Sequence, residues 1–171
     1  PSWKTQTILK EPNFWTIVLT FGFMFCCMSA TLTHMVPRVS DLGFTLTQAA
    51  PVLSFCAAAG VLGKVIYGWI CDFWNPKYAI ITALIVQVIG QLVLLNADTY
   101  WLLVTGASLF GFGMGGAVPL HGAIVGAHFG RDGFGAVMGL MRPAMIPLQM
   151  IGIPLAGWIY DESGSYQLAF Q

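Results

Sequence analysis

Uncharged stretches of unusual length set the pattern of this chain. Five runs, at about residues 13–37, 47–71, 77–96, 100–125 and 134–160, are almost free of Asp, Glu, Lys and Arg. Apart from Lys77 at the edge of the third, the only charges within them are Lys64 and Arg142. Roughly 20 apolar residues in a helix cross the ~30 Å of a bilayer's hydrocarbon, so each run is long enough to span. A tail at about 166–171 reads as the start of a sixth. A buried sheet would need strand-length runs broken by turns every few residues, and these runs are far too long for that. Polar punctuation agrees with helices. Asp72 closes the second run and Asp98 follows the third, while Asn75 is placed to cap the third with Pro76 at its first helical position. The connections are short, so consecutive helices are expected to be antiparallel. The predicted fold is an all-α membrane protein, a polytopic transmembrane helix bundle, with residues 1–12 outside the bilayer.

Composition strengthens this reading. Hydrophobic residues make up 57% of the chain and charged residues 8%, against roughly 45–50% and about 25% in soluble domains. Seven basic residues balance seven acidic ones, which argues against a nucleic-acid partner. Cys26, Cys27, Cys56 and Cys71 lie in the apolar runs with no zinc-ligand or redox spacing, so neither metal nor cofactor is expected. The first run is too long for a signal-peptide core and more runs follow it. The chain starts at Pro1 rather than Met, and a fragment of a longer protein is expected. Lys4, Lys10, Lys77 and Arg131 fall on one side of the predicted membrane and Arg38 on the other. By the excess of basic residues in cytoplasmic loops, the N-terminus should be cytoplasmic, in a cell or inner membrane.

The stretch Gly68-x-x-x-Asp72, followed by Lys77, resembles the loop signature of the major facilitator superfamily. In that family the loop joins the second and third helices of a six-helix half, its position here. Phe73 and Pro76 stand where the family usually has basic residues, and Asn75, able to adopt a left-handed turn, replaces a glycine. His34-Met-Val-Pro37 and Asp41-x-Gly43-Phe44 resemble the outer loop of the monocarboxylate transporter-like and oxalate/formate antiporter-like branch. So does Tyr160-Asp161-x-x-Gly164-Ser165-Tyr166. The resemblance covers about residues 13–170. It implies helices 7 to 11 of a twelve-helix carrier, with residues 1–12 ending a cytoplasmic linker and 13–171 forming the C-terminal transmembrane half. Gly68-Trp-Ile-Cys-Asp72 is echoed by Gly157-Trp-Ile-Tyr-Asp161 at the opposite side, as an inverted three-plus-three repeat would give and as shared helix-end chemistry would too.

Lys64 and Arg142 carry the most information. A charge near the bilayer centre costs at least about 2.5–3.5 kcal/mol and usually faces an interior cavity. Lys64 lies eight residues before Asp72, roughly 12 Å along a helix, and Arg142 ten residues after Asp132, roughly 15 Å from the same side. Both are near the midplane, and no Asp or Glu interrupts the five runs. They are expected to converge on the carboxylate of an organic anion, Arg142 bidentately. The competing expectation is an ion pair with a carboxylate of the missing half, or contact with anionic lipid. The resemblance implies a substrate-related arginine at position 64, where lysine keeps the charge without the fork. Pro143, Pro147 and Pro154 either kink or unwind the fifth helix around Arg142 or are ordinary membrane-helix prolines whose freed backbone groups neighbouring helices satisfy, and Gln149 returns to the face of Arg142.

On the fourth run, Gly111-Phe-Gly113-Met-Gly115-Gly116 has no preceding strand and reads as close helix packing rather than a dinucleotide loop. His121 just beyond is either a packed, hydrogen-bonded residue or one that faces the cavity and exchanges a proton. His34 and His128 are expected only to cap or solvate helix ends. Phe14, Phe21 and Phe25 recur near helical spacing and either line the pore, face lipid or pack in the interior. The function expected is a secondary active transporter of a small organic mono- or dicarboxylate, by proton symport or anion antiport. Its partners are that anion, protons, the bilayer and the missing N-terminal half. A transporter-like receptor or scaffold is the alternative, and a membrane-embedded enzyme has no candidate catalytic set here.

Overall fold

Helix boundaries follow the local chemistry. A computed structural model describes residues 3–163, so the expected sixth span and the Gly164-Ser165-Tyr166 part of the outer motif lie outside the described residues. Helix α1 is Thr5–Lys10, and α2, Pro12–Asp41, starts with Pro12 in its first turn. α2 runs one turn past Pro37, the expected end of the first run, and stops where Gly43 turns the chain at φ 86°. The Gly43 amide there donates to the Ser40 carbonyl at 2.9 Å. Helix α3, Leu46–Ile70, opens with a capping box in which the Thr45 amide donates to Gln48 Oε1 at 3.0 Å. Helix α4, Pro76–Leu95, is capped by Asn75, whose Oδ1 accepts from the Lys77 amide at 3.0 Å. Asn75 is extended (φ −61°, ψ 126°), not left-handed. As an N-cap its oxygen must face the first turn's amides, which the extended backbone allows. Helices α5, Tyr100–Gly115, and α6, Ala117–Ser163, complete an all-helical bundle.

Four stretches are long and apolar enough to cross a membrane: Pro12–Asp41, Leu46–Ile70, Pro76–Leu95 and Tyr100–Glu162. The last has 63 residues, about 95 Å at 1.5 Å per residue, far beyond one crossing. It folds back at Gly130 (φ 67°, ψ −177°), the one non-helical point inside α6. Both arms of α6 then pass the same level of α2. The His121 ring lies 4.7 Å from that of Phe21, while a Cβ on Gly22 would meet Leu148.

Glycines decide how closely the helices approach. A Cβ on Gly111 would overlap the Cys56 carbonyl, one on Gly115 the Gly60 carbonyl, and one on Gly113 would stand 2.6 Å from the Gln87 amide nitrogen. One face of α5 is therefore pressed against α3 and another against α4. The interior is packed with Phe14, Phe21, Met141 and Leu120 toward the α1 end and with Met35, Leu103 and Phe110 toward the other. The outer faces are apolar as well, with Phe23, Leu62 and Trp101 at 60%, 60% and 73% exposure. Such faces suit lipid, where helices satisfy their own backbone polar groups.

Only glycine adopts the Gly130 backbone without strain. Gly130→Ala meets open space for its methyl, yet is expected to destabilise the protein by about 1–3 kcal/mol through the dihedrals alone. Thermal unfolding in detergent measures this, with Gly126→Ala, also in open space but inside the helix, as the comparison.

Candidate functional site

One cleft gathers three of the residues singled out in the sequence. Arg142 and Gln149 project from the second arm of α6, two turns apart on one face. His121 joins them from the first arm because the chain folds back at Gly130. The cleft they line measures about 450 Å³, with Met138 and Met145 in its wall. Lys64 lines a smaller cleft of about 280 Å³ beside Gly60, Val61 and Met114. Phe25, Met28 and Val118 border both. Lys64 and Arg142 thus line adjoining clefts that share an apolar border.

Both cations are exposed, whereas His121 is 6% exposed. Its ring packs on Phe21, but its Nε2 has no hydrogen-bond partner among the described residues. The expectation of a packed, hydrogen-bonded histidine is met only in its packing. Of the three phenylalanines on α2, Phe14 and Phe21 are fully buried, and Phe25 alone borders the clefts. Pro143, Pro147 and Pro154 do not unwind α6, whose backbone stays helical through all three. Neighbouring helices and local adjustment can absorb the missing donors. Gly22 against Leu148 and Gly152 against the Cys26 carbonyl hold this arm close to α2.

Gly68, Asp72 and Lys77 are elsewhere, at the last turn of α3 and the turn into α4. The Asp72 amide donates to the Trp69 carbonyl at 3.1 Å, and Phe73 and Trp74 beside it are exposed. The loop signature forms a surface turn and contributes nothing to the clefts.

A polar seam between α2 and α4 was not anticipated. Thr31 Oγ1 donates to Gln91 Oε1 at 3.1 Å, and an Arg38 terminal nitrogen donates to the Leu95 carbonyl at 3.3 Å. Arg38 is 8% exposed and caps the carboxyl end of α4, a favourable place for a cation. His34 is buried rather than solvated, with Nε2 3.3 Å from the Ile153 carbonyl. The signal was present as Cys27, Thr31, His34 and Arg38 at successive spacings of four, three and four on α2, one stripe of a helix. With α4's orientation unknown, the stripe had no visible partner.

Comparisons with known proteins bear on the whole chain. It is 25% identical over 171 residues to monocarboxylate transporter 12 of Xenopus laevis, covering 98% of this chain and 37% of that protein. It is 27% identical over 139 residues to monocarboxylate transporter 13 of Rattus norvegicus, covering 80% and 32%. Human monocarboxylate transporter 12 is 24% identical over 168 residues, covering 96% and 33%. The chain spans about a third of the length of these curated relatives. The family model of the Major Facilitator Superfamily matches residues 1–95 and 59–171, and with the helical bundle described above this establishes that the chain belongs to the Major Facilitator Superfamily.

Proposed function

We propose that the full-length protein is a secondary active carrier of a small organic anion, a mono- or dicarboxylate, working by alternating access. The observation that carries this reading is the cleft shared by Arg142, Gln149 and His121, with Lys64 in the next one. No carboxylate lies within the apolar runs that bear the two cations, so a counter-charge at their depth has to come from outside those runs. A guanidinium fork pairs with a carboxylate through two parallel hydrogen bonds. Gln149 offers both a donor and an acceptor, and His121 an unengaged ring nitrogen. The names of the relatives, monocarboxylate transporters, agree with such a substrate. On this reading the chain supplies helices 7 to 11 of twelve, and the remainder of the protein supplies the opposite wall. The end holding α1, the α3–α4 turn and the Gly130 break faces the cytoplasm, because Lys4, Lys10, Lys77 and Arg131 gather there. Transport is coupled to proton symport or anion exchange.

Uptake and counterflow of labelled carboxylates in proteoliposomes holding the full-length protein test the proposal. A carrier exchanges internal for external label, whereas a receptor or scaffold exchanges none. His121→Phe adds a finer check. It keeps the ring against Phe21 and removes the unpartnered nitrogen, so the unfolding temperature should hold or rise. Loss of a hydrogen bond to a charged ligand should raise the KM for uptake about tenfold. An unchanged KM would remove His121 from the binding set.

A further inference from the structure

The break at Gly130 interrupts the helix, so the direction of the second arm of α6, which carries Arg142 and Gln149, is set by packing and not by a continuous helix. At the α1 end the Trp3 ring lies against both sides of the break. The Trp3 ring meets Phe129, the last residue before the break, edge-on at a centroid distance of 5.0 Å and an interplanar angle of 69°. The same indole also fills the space a side chain at residue 133 would need. A Cβ on Gly133 would lie 2.5 Å from Trp3 Cδ1 and 2.8 Å from Nε1. The indole therefore bridges the break, touching one arm on each side.

Trp3 is held in turn. Ile8 of α1 is fully buried in the same core cluster as Phe129, and Trp3 packs against that cluster. The Leu9 carbonyl accepts a hydrogen bond from Trp15 Nε1 of α2 at 2.9 Å. A continuous set of contacts runs from α2 through α1 to Trp3 and across the break. Further along the arm, Gly22 against Leu148 and Gly152 against Cys26 supply the second attachment to α2. Arg142 lies between the two attachments, nine residues or roughly 14 Å beyond Gly133.

We infer that Trp3 is a positioning residue for the Arg142 cleft: wedged between Phe129 and Gly133, it fixes the angle at the Gly130 break and so aims the arm that bears Arg142 and Gln149. The aim matters only if that cleft binds substrate, so this part rests on the proposed function. The wedge itself does not.

The test compares Trp3→Ala and Trp3→Phe with the unaltered full-length protein in lipid nanodiscs. Amide hydrogen exchange over residues 129–135, read without substrate, should quicken about tenfold in Trp3→Ala, because local opening loses its packing contact. It should stay within about twofold in Trp3→Phe, which keeps an aromatic ring in the wedge. Uptake should show KM raised about fivefold in Trp3→Ala with the maximal rate retained, since a misaimed site loses binding before turnover. Unchanged exchange in Trp3→Ala overturns the inference whatever the carrier moves. Faster exchange with an unchanged KM also overturns it, leaving Trp3 a packing residue. If no carboxylate is taken up, the proposed substrate class fails while the exchange result still decides whether the wedge exists.

Discussion

Arg142→Ala is expected to abolish uptake of a carboxylate at physiological concentrations while leaving the amount of folded protein unchanged. The two outcomes separate because Arg142 is exposed in its cleft, so removing it breaks no packing, and the charge it removes is a cost to a membrane helix. Truncating one partner of a desolvated, hydrogen-bonded charge pair costs about 2–5 kcal/mol, or about 30-fold to more than 1,000-fold in affinity. Arg142→Lys keeps the charge but not the fork and should recover part of the loss. Lys64→Ala should have a smaller effect, because Lys64 opens into the neighbouring cleft, beyond Phe25, Met28 and Val118. The measurement is initial uptake of labelled monocarboxylates and dicarboxylates, normalised to folded protein by size-exclusion chromatography. Unchanged uptake in both alanine variants would sink the proposed site. A dicarboxylate substrate would show itself if Lys64→Ala weakened dicarboxylates more than monocarboxylates.

The second large effect is structural. Gly111→Val is expected to prevent α5 from docking on α3, with a loss of more than about 3 kcal/mol, at the severe end of single substitutions. The physical reason is the absence of an alternative. Helices in lipid gain little from burying apolar surface against one another, so their association depends on close packing of small residues. The new Cβ would overlap the backbone carbonyl of Cys56, and a backbone atom cannot step aside as a side-chain tip can. The neighbouring Gly115 contact with the Gly60 carbonyl on the same face would be pulled apart with it. Gly122→Ala and Gly135→Ala are the controls, since a Cβ at either meets nothing within 4 Å. Both should melt within about 1 kcal/mol of the unaltered protein. Thermal unfolding in detergent, with the monodisperse fraction at each temperature, distinguishes the cases. A Gly111→Val protein that melts with the parent would contradict the close α3–α5 approach.

These predictions draw on different kinds of information. That the chain is a bundle of membrane-crossing helices was legible without coordinates. A backbone in hydrocarbon must satisfy its own hydrogen bonds, so a long uncharged run has almost no other solution. The cap at Asn75 with Pro76 behind it was legible too, because one oxygen, two residues and a fixed φ suffice to make it. The expected depth of Lys64 and Arg142, near mid-span, rests on counting residues from Asp72 and Asp132 with the helical rise.

Adjacency is not local. Arg131 and Asp132 mark the stretch between the fourth and fifth runs as a turn, but which of its glycines breaks the helix is seen only in the fold, at Gly130. The fold-back there brings His121, 21 residues earlier in the chain than Arg142, into Arg142's cleft and leaves Lys64 in the adjoining one. The packing of α4 on α2 buried Arg38, and that of the second arm of α6 on α2 put the Ile153 carbonyl against His34. Trp3 became informative only once its ring was found between Phe129 and Gly133. The sequence by itself determined the helices and their apolarity, because these follow from the chain's own covalent spacing. Which helices touch, and so which polar groups share a cleft, was decided by the tertiary structure, because it depends on glycine surfaces far apart in sequence fitting against one another.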